Sequence, residues 1–229
     1  MTLPDAIEKA RFNMIEQQIR PWDVLDPQVL ELLSVLHRED FVPAAHKALA
    51  FVDMEIPLAG SAEDALRTGR CMLAPKVEAR MLQDASPQPY EKVLEVGAGS
   101  GYMAALLAAR AESVITLEID PTLARMTREN LARAGVKNAQ VLEADGAQGL
   151  AAQGPFDVIV LSGSVAQVPQ ALLSQLRVGG RLVAIVGNDP VMRATRVTRT
   201  GEATWTTEQR WDTMAPRLQH FPEPSRFEF

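Results

Sequence analysis

Between Lys92 and Arg110 a short apolar run, Lys92 to Val96, breaks into Gly97-Ala98-Gly99-Ser100-Gly101 and resumes as an alanine- and leucine-rich stretch from Tyr102. Glycine accepts positive φ and lets the backbone pass close to a neighbour, so this spacing turns a buried strand directly into a helix start. The same alternation continues downstream. Val114 to Glu118, Ala139 to Glu143, Phe156 to Leu161 and Arg181 to Val186 read as strands. Pro121 to Ala134, closed by Gly135, and Pro169 to Leu176 read as helices between them. Strands and helices at this interval predict an α/β fold, a mostly parallel sheet with helices on both faces. Ala194 to Thr198 and Thr204 to Arg210, joined across Gly201, are expected to add antiparallel strands at the C-terminal edge.

The first ninety residues have a different texture. Leu3 to Ile19 carries Ile7, Met14, Ile15 and Ile19 in a helical rhythm that Pro21 stops, and Asp26-Pro27 is a helix start with a carboxylate N-cap. Residues 41–74 show no sustained period and are expected to be packed loop with short elements, while Pro75 to Ala85 is helical again. The expected organisation is a helical N-terminal extension over 1–90, forming the substrate side, and a cofactor-binding unit over 91–229, together one compact body. The extension holds fourteen acids against nine bases, so five of the six net negative charges lie there. No segment is basic, which argues against a nucleic-acid partner. No apolar run approaches the length that crosses a bilayer, and the N-terminus lacks the apolar core of a secretory signal. The single cysteine, Cys71, allows neither an internal disulfide nor a thiolate metal site. A cytoplasmic location is expected.

In an open parallel sheet ligands bind where strand ends meet helix starts, which directs attention to the glycine turn. Gly99-Ser100-Gly101-Tyr102-Met103-Ala104 can be read as a dinucleotide fingerprint with Glu118 downstream for a ribose. The alternative is Glu95-x-Gly97-x-Gly99-x-Gly101, the first motif of S-adenosyl-L-methionine (SAM) methyltransferases. Glu95 inside the turn would repel a pyrophosphate but could hold the cationic amino-acid end of SAM. Glu118 ends the second strand, where a carboxylate can accept ribose hydroxyls, and Asp145-Gly146 closes the third, where an adenine amino group needs an acceptor. One glycine turn with three acids at successive strand ends favours SAM.

On these and further residues the chain resembles the protein-L-isoaspartate O-methyltransferases, within the SAM-dependent methyltransferase superfamily and its Rossmann-like fold. The matching stretches are Arg38-Glu39-Asp40-Phe41-Val42-Pro43, Ala50-Phe51-Val52-Asp53, Ile56-Pro57-Leu58, Val93 through Tyr102, Asp145-Gly146, Phe156-Asp157-Val158-Ile159 and Leu176 through Val183. The resemblance implies that Glu95, Gly97, Ala98, Gly99, Ser100, Gly101, Glu118, Ile119, Asp145 and Gly146 bind SAM, with S-adenosylhomocysteine as product. It places Asp53 near the substrate pocket, where a loop carboxylate capping a turn is the alternative. It also exposes a departure. The family's Thr-Ile-Ser-x-Pro segment aligns with Cys71-Met72-Leu73-Ala74-Pro75, so Leu73 occupies the position of a serine beside the methyl-transfer site. The glycine–glutamine element preceding it is replaced by the longer Gly60-Ser61-Ala62-Glu63 stretch.

The implied activity is methyl transfer to a carboxylate of damaged, isoaspartyl-containing protein. Its partner would be a peptide or protein with isoaspartyl residues, or a small carboxylate. Such an acceptor is ionised at neutral pH, so orientation rather than a general base would supply the catalysis. A divergent SAM-binding methyltransferase with another substrate, or a SAM-binding protein with little isoaspartyl activity, is a second reading, and a nucleotide-dependent oxidoreductase a third. His37, His46 and His220 share no metal or triad spacing and are expected at surface or helix-end positions; no metal is expected. Leu161-Ser162-Gly163-Ser164 is not the Asn/Asp-Pro-Pro-aromatic run of enzymes that methylate amino groups.

Overall fold

The structure is a computed structural model that describes residues 3–223. Helix α1 (Leu3–Met14) does not run on to Ile19 as its periodicity suggests. It opens into a π-helical turn over Ile15–Ile19 and tightens into a 3₁₀ turn over Arg20–Trp22 that contains Pro21. The widening falls where Met14, Ile15 and Ile19 all enter the core. Helix α2 (Pro27–Val35) starts as expected, with the Asp26 carboxylate accepting the Gln28 N–H at 2.8 Å.

The stretch read as loop contains a small two-stranded sheet, β1 (Ile56–Pro57) against β2 (Cys71–Met72), and helix α3 (Ala62–Thr68) between them. The Ser61 hydroxyl accepts the Asp64 N–H at the start of α3, and Gly69, at φ 74°, ends it. Only Ala65 of α3 is buried, so there was no apolar face for periodicity to register. Helix α4 (Pro75–Ala85) occupies its expected bounds.

The main sheet comprises β3 (Lys92–Val96), β4 (Ser113–Glu118), β5 (Ala139–Glu143), β6 (Phe156–Val165), β7 (Leu176–Asn188), β8 (Val191–Gly201) and β9 (Thr204–Thr213). Helices α5 (Tyr102–Ala108), α6 (Pro121–Arg133) and α7 (Gln170–Leu173) connect them. The strand order is β5-β4-β3-β6-β7-β8-β9; neighbours are parallel from β5 to β7, and β8 and β9 continue antiparallel. This is the α/β sheet with antiparallel C-terminal strands that the sequence predicts, with β6, β7 and β8 each longer at their ends. Side chains alternate between two cores. Val93, Val114, Val158, Val160 and Val183 pack with α4, α5 and the N-terminal segments, and Leu94, Ile115, Ile159, Leu161 and Leu182 pack on the opposite face with Leu172 of α7.

The chain leaves β3 toward β4 on one side and later returns to pair β6 on the other, so the end of β3 is a topological switch point where a crevice must open. After β9 the chain comes back to this place. The Ser164 N–H donates to Pro216 O at 2.8 Å and the Leu218 N–H to Ser164 O at 2.9 Å, laying residues 216–218 beside the end of β6.

Candidate active site

A cleft partly open to solvent lies at the C-terminal ends of β3, β4 and β5 and is lined by Gly97, Gly99, Glu118, Ile119, Asp145 and Gly146 among others. A second, narrower cavity adjoins it at the turn, lined by Glu95, Gly97, Ala98, Gly99, Ser100 and Ser162 together with Cys71, Met72, Leu73 and Glu78. Nine of the ten residues that the resemblance assigns to SAM therefore line these two adjoining spaces, which share Cys71, Gly97, Gly99 and Ser162. The tenth, Gly101, lies behind them: at φ 84° it begins α5, and a Cβ there would stand 3.0 Å from the Thr127 methyl.

Glu95 is fully buried and accepts the Ser162 hydroxyl at 2.7 Å through Oε1, while its Oε2 has no hydrogen-bond partner. Burial pushes its carboxyl up to about 8, against the opposing effects of the Ser162 hydroxyl and of the nearby Thr116 hydroxyl, which itself has no partner in hydrogen-bond geometry. A buried carboxylate oxygen left without a donor is costly unless a cation or donor completes it. It is the kind of acceptor that the ammonium of SAM requires, and in this respect the residues fit the cofactor. Glu118 accepts the Gly99 N–H at 2.8 Å through Oε2 and the Asp120 N–H at 3.0 Å through Oε1. Burial raises its carboxyl above the ordinary range, and those backbone bonds oppose the rise. The Asp145 carboxylate accepts the Ala147 N–H at 2.9 Å and lies 2.7 Å from His220 Nδ1. Burial alone would raise it, but the Ala147 N–H and His220 outweigh burial and hold it below the ordinary range.

Several lining residues come from places where sequence reading assigned no role. Arg70, just after α3, pairs with Asp120 at 2.8 Å, and Gln219 donates to Thr68 O at 2.9 Å, so the α3 segment and the C-terminal segment both flank the cleft. Leu218 lies against the glycine turn, since a Cβ on Gly97 would come within 2.9 Å of its Cδ2. Leu218 could move aside from such a Cβ; it is the positive φ of 92° at residue 97 that calls for glycine. His220 is exposed, as expected of it, yet reaches Asp145.

Asp53 and Leu73 fall on two sides of one short segment. Leu73 is buried in the inner cavity, and its neighbour Ala74 lines a separate open cleft with Trp22, Asp53, Lys76 and Met214. The Asp53 carboxylate pairs with Lys76 Nζ at 2.6 Å, and that ammonium stands 4.0 Å from the centre of the Trp22 ring. Cys71 is buried, and burial pushes its thiol up to about 12, which removes it as a nucleophile. Among the described residues no group of three His, Cys, Asp or Glu side chains could hold a metal ion, and no helix is long and apolar enough to cross a membrane.

Comparison with known proteins places the chain in a family. The profile of the family described as Protein-L-isoaspartate(D-aspartate) O-methyltransferase (PCMT) matches residues 9–214. A Protein-L-isoaspartate O-methyltransferase of Koribacter versatilis is 40% identical over 194 residues, 85% of this chain and 82% of that protein. One of Rhodopseudomonas palustris is 38% identical over 200 residues, 87% of this chain and 88% of that protein. The fold matches the crystal structure of a putative protein-L-isoaspartate O-methyltransferase from Plasmodium falciparum in complex with S-adenosyl-L-homocysteine, with a TM-score of 0.73 at 18% identity over 90% of this chain and 97% of that one. With the glycine turn, the acids at three strand ends and relatives that align over most of both chains, this protein belongs to the protein-L-isoaspartate O-methyltransferase family.

Proposed function

We propose that the chain transfers the methyl group of SAM to a carboxylate of isoaspartyl-containing protein, with residues 91–229 supplying the cofactor side and residues 1–90 the acceptor side. The observation that carries this reading is the buried Oε2 of Glu95, without a partner in hydrogen-bond geometry, beside a glycine turn whose next two strands lead to Glu118, at the end of β4, and Asp145, just past β5. Bound SAM supplies an electrophilic methyl on a sulfonium. The chain's own contribution is to bind and orient. Glu95 receives the ammonium, Glu118 the ribose hydroxyls and Asp145 the adenine amino group. Residues 97–101 bring backbone close to the cofactor, and the apolar wall of Met72, Leu73 and Met103 excludes water. A carboxylate acceptor arrives ionised, so no residue has to take a proton. A free, buried cysteine is compatible with a reducing compartment, and we place this repair activity in the cytoplasm.

Calorimetry with S-adenosylhomocysteine and transfer of labelled methyl to an isoaspartyl peptide test the two halves separately. Binding with measurable transfer is expected. Tight binding of NAD(P) with none of S-adenosylhomocysteine would remove the cofactor assignment. Binding without transfer, together with transfer to another small carboxylate, would retain the cofactor and replace the acceptor; Leu73 is the residue that motivates this second outcome.

A further inference from the structure

The Arg38-to-Pro43 stretch has so far carried only the resemblance, and its first residue has an unusual position. Arg38 is 1% exposed and the largest fully buried side chain. Burying a guanidinium is costly, and a single ion pair does not by itself repay the cost. Arg38 is instead bonded along its whole fork. Nε donates to Ala50 O at 3.1 Å, Nη2 donates to Leu73 O at 2.7 Å, and Nη1 pairs with the Glu78 carboxylate. The guanidinium also lies 5.5 Å from the centre of the Tyr102 ring, on the helix that the glycine turn begins.

These partners belong to three different segments. Ala50 precedes the loop that carries Asp53, Leu73 is the wall of the inner cavity at the family's serine position, and Glu78 is the first-turn acid of α4. One planar group thus joins the acceptor-side loops to the helix beside the cofactor turn. Because Leu73 O is drawn to Arg38, the peptide at 73 has a fixed orientation, and the residue-73 side chain is held toward the cavity that Glu95 and Ser162 also line. The two backbone acceptors are what a planar fork offers and an ammonium does not.

We propose that Arg38 is a positioning residue for methyl transfer, setting the distance between the residue-73 wall and the cofactor turn through the Leu73 and Ala50 carbonyls. This rests on the methyltransferase reading above. The test uses the full chain as Arg38→Met/Glu78→Met, which removes both charges and leaves none stranded, and as Arg38→Lys, which keeps the charge but not the fork. Three readouts are taken: S-adenosylhomocysteine affinity, kcat and KM for labelled methyl transfer to an isoaspartyl peptide, and amide exchange of residues 70–74 in protein saturated with S-adenosylhomocysteine. Misplacement of reacting groups by an ångström costs roughly 100-fold, so the double variant is expected to lose about that factor in kcat while its S-adenosylhomocysteine affinity stays within about threefold. Arg38→Lys should fall between it and the native protein. Exchange at 70–74 should quicken roughly tenfold in both variants. A folded double variant with native kcat and native exchange overturns the proposal; if that variant does not fold, native kcat and exchange in Arg38→Lys overturn it. If the native protein methylates no isoaspartyl peptide, the acceptor assignment fails by itself, and unchanged exchange at 70–74 in the variants would then defeat the Arg38 claim independently.

Discussion

The Glu118 carboxylate accepts the backbone N–H of Gly99 at 2.8 Å, which ties the acid at the end of β4 to the turn at the end of β3. The bond fixes one carboxylate oxygen, and the Asp120 N–H fixes the other, so the group is oriented before any ligand arrives. Replacing Glu118 by alanine therefore removes a brace of the turn and, on the proposed reading, the acceptor of the ribose hydroxyls. Hydrogen bonds to a charged group contribute roughly 1.5–3 kcal/mol each, and loss of about 3 kcal/mol corresponds to roughly 100-fold weaker binding. Calorimetric titration with S-adenosylhomocysteine should show that loss. An affinity within threefold of native would mean that the ribose lies elsewhere.

Glu95 gives the site a pH dependence whose sign can be worked out. Its carboxyl, ordinarily near 4.5, is pushed up to about 8 in the fold, mainly by burial and with like charges at Glu78 and Glu118 adding to the rise. Between these values the folded state binds a proton that the unfolded chain has released, so stability falls as pH rises through that window, by at most about 1.4 kcal/mol per pH unit. Denaturant titrations of Glu95→Gln should show a shallower decline from pH 5 to pH 8. A cationic ligand reverses the preference, because it favours the ionised carboxylate. Binding of S-adenosylhomocysteine near pH 7 should then release a proton and tighten as pH rises toward 8. Binding enthalpies that do not change with the ionisation heat of the buffer would contradict this.

Arg181, on β7, binds Glu91 through two bonds of 2.8 Å and donates to Ala85 O and Ser86 O at 2.6 Å each, which fastens the end of α4 to the sheet. Removing one partner of a buried pair costs about 3–5 kcal/mol when the other charge is left stranded, an upper bound here because the Gln88 N–H at 2.8 Å and Arg177 at 3.8 Å still face Glu91. For a chain of this length, Arg181→Met should lower Tm by roughly 6–20 °C. Adding Glu91→Met should recover part of the loss, as seen by calorimetric melting, since the stranded carboxylate is then gone. No recovery would assign the cost to the Ala85 and Ser86 carbonyls instead.

What sequence could and could not convey follows from the range of the interactions. The glycine turn, the three strand-end acids and the Pro75–Ala85 helix depend on neighbours within a few residues, and they are found where periodicity and turn chemistry put them. Helix α3 was legible only through its ends, Ser61 with Asp64 and Gly69, because its exposed middle has no apolar rhythm. The return of residues 216–218 to β6 had no periodic signature, being made by backbone bonds to Ser164. Arg38 and Glu78 are forty residues apart, and nothing local distinguishes that arginine from a solvated one.

Leu73 is where family pattern and structure bear most directly on activity. Its side chain is 5% exposed and shares the inner cavity with Glu95 and Ser162, so a serine there would present its hydroxyl to the space beside the cofactor turn. The Ser162 hydroxyl is not free to replace it, since it is donated to Glu95. Leu73→Ser should therefore raise kcat/KM for an isoaspartyl peptide by about tenfold or more, the equivalent of one new hydrogen bond to a charged acceptor. The same change removes buried methyl groups and should lower stability by roughly 2–4 kcal/mol. The two effects separate cleanly when initial rates are measured well below the melting transition and the melting point is recorded in parallel. A destabilised variant with no gain in rate would show that the acceptor carboxylate does not approach residue 73 in this protein, and that the α3 segment has reshaped the entrance as well.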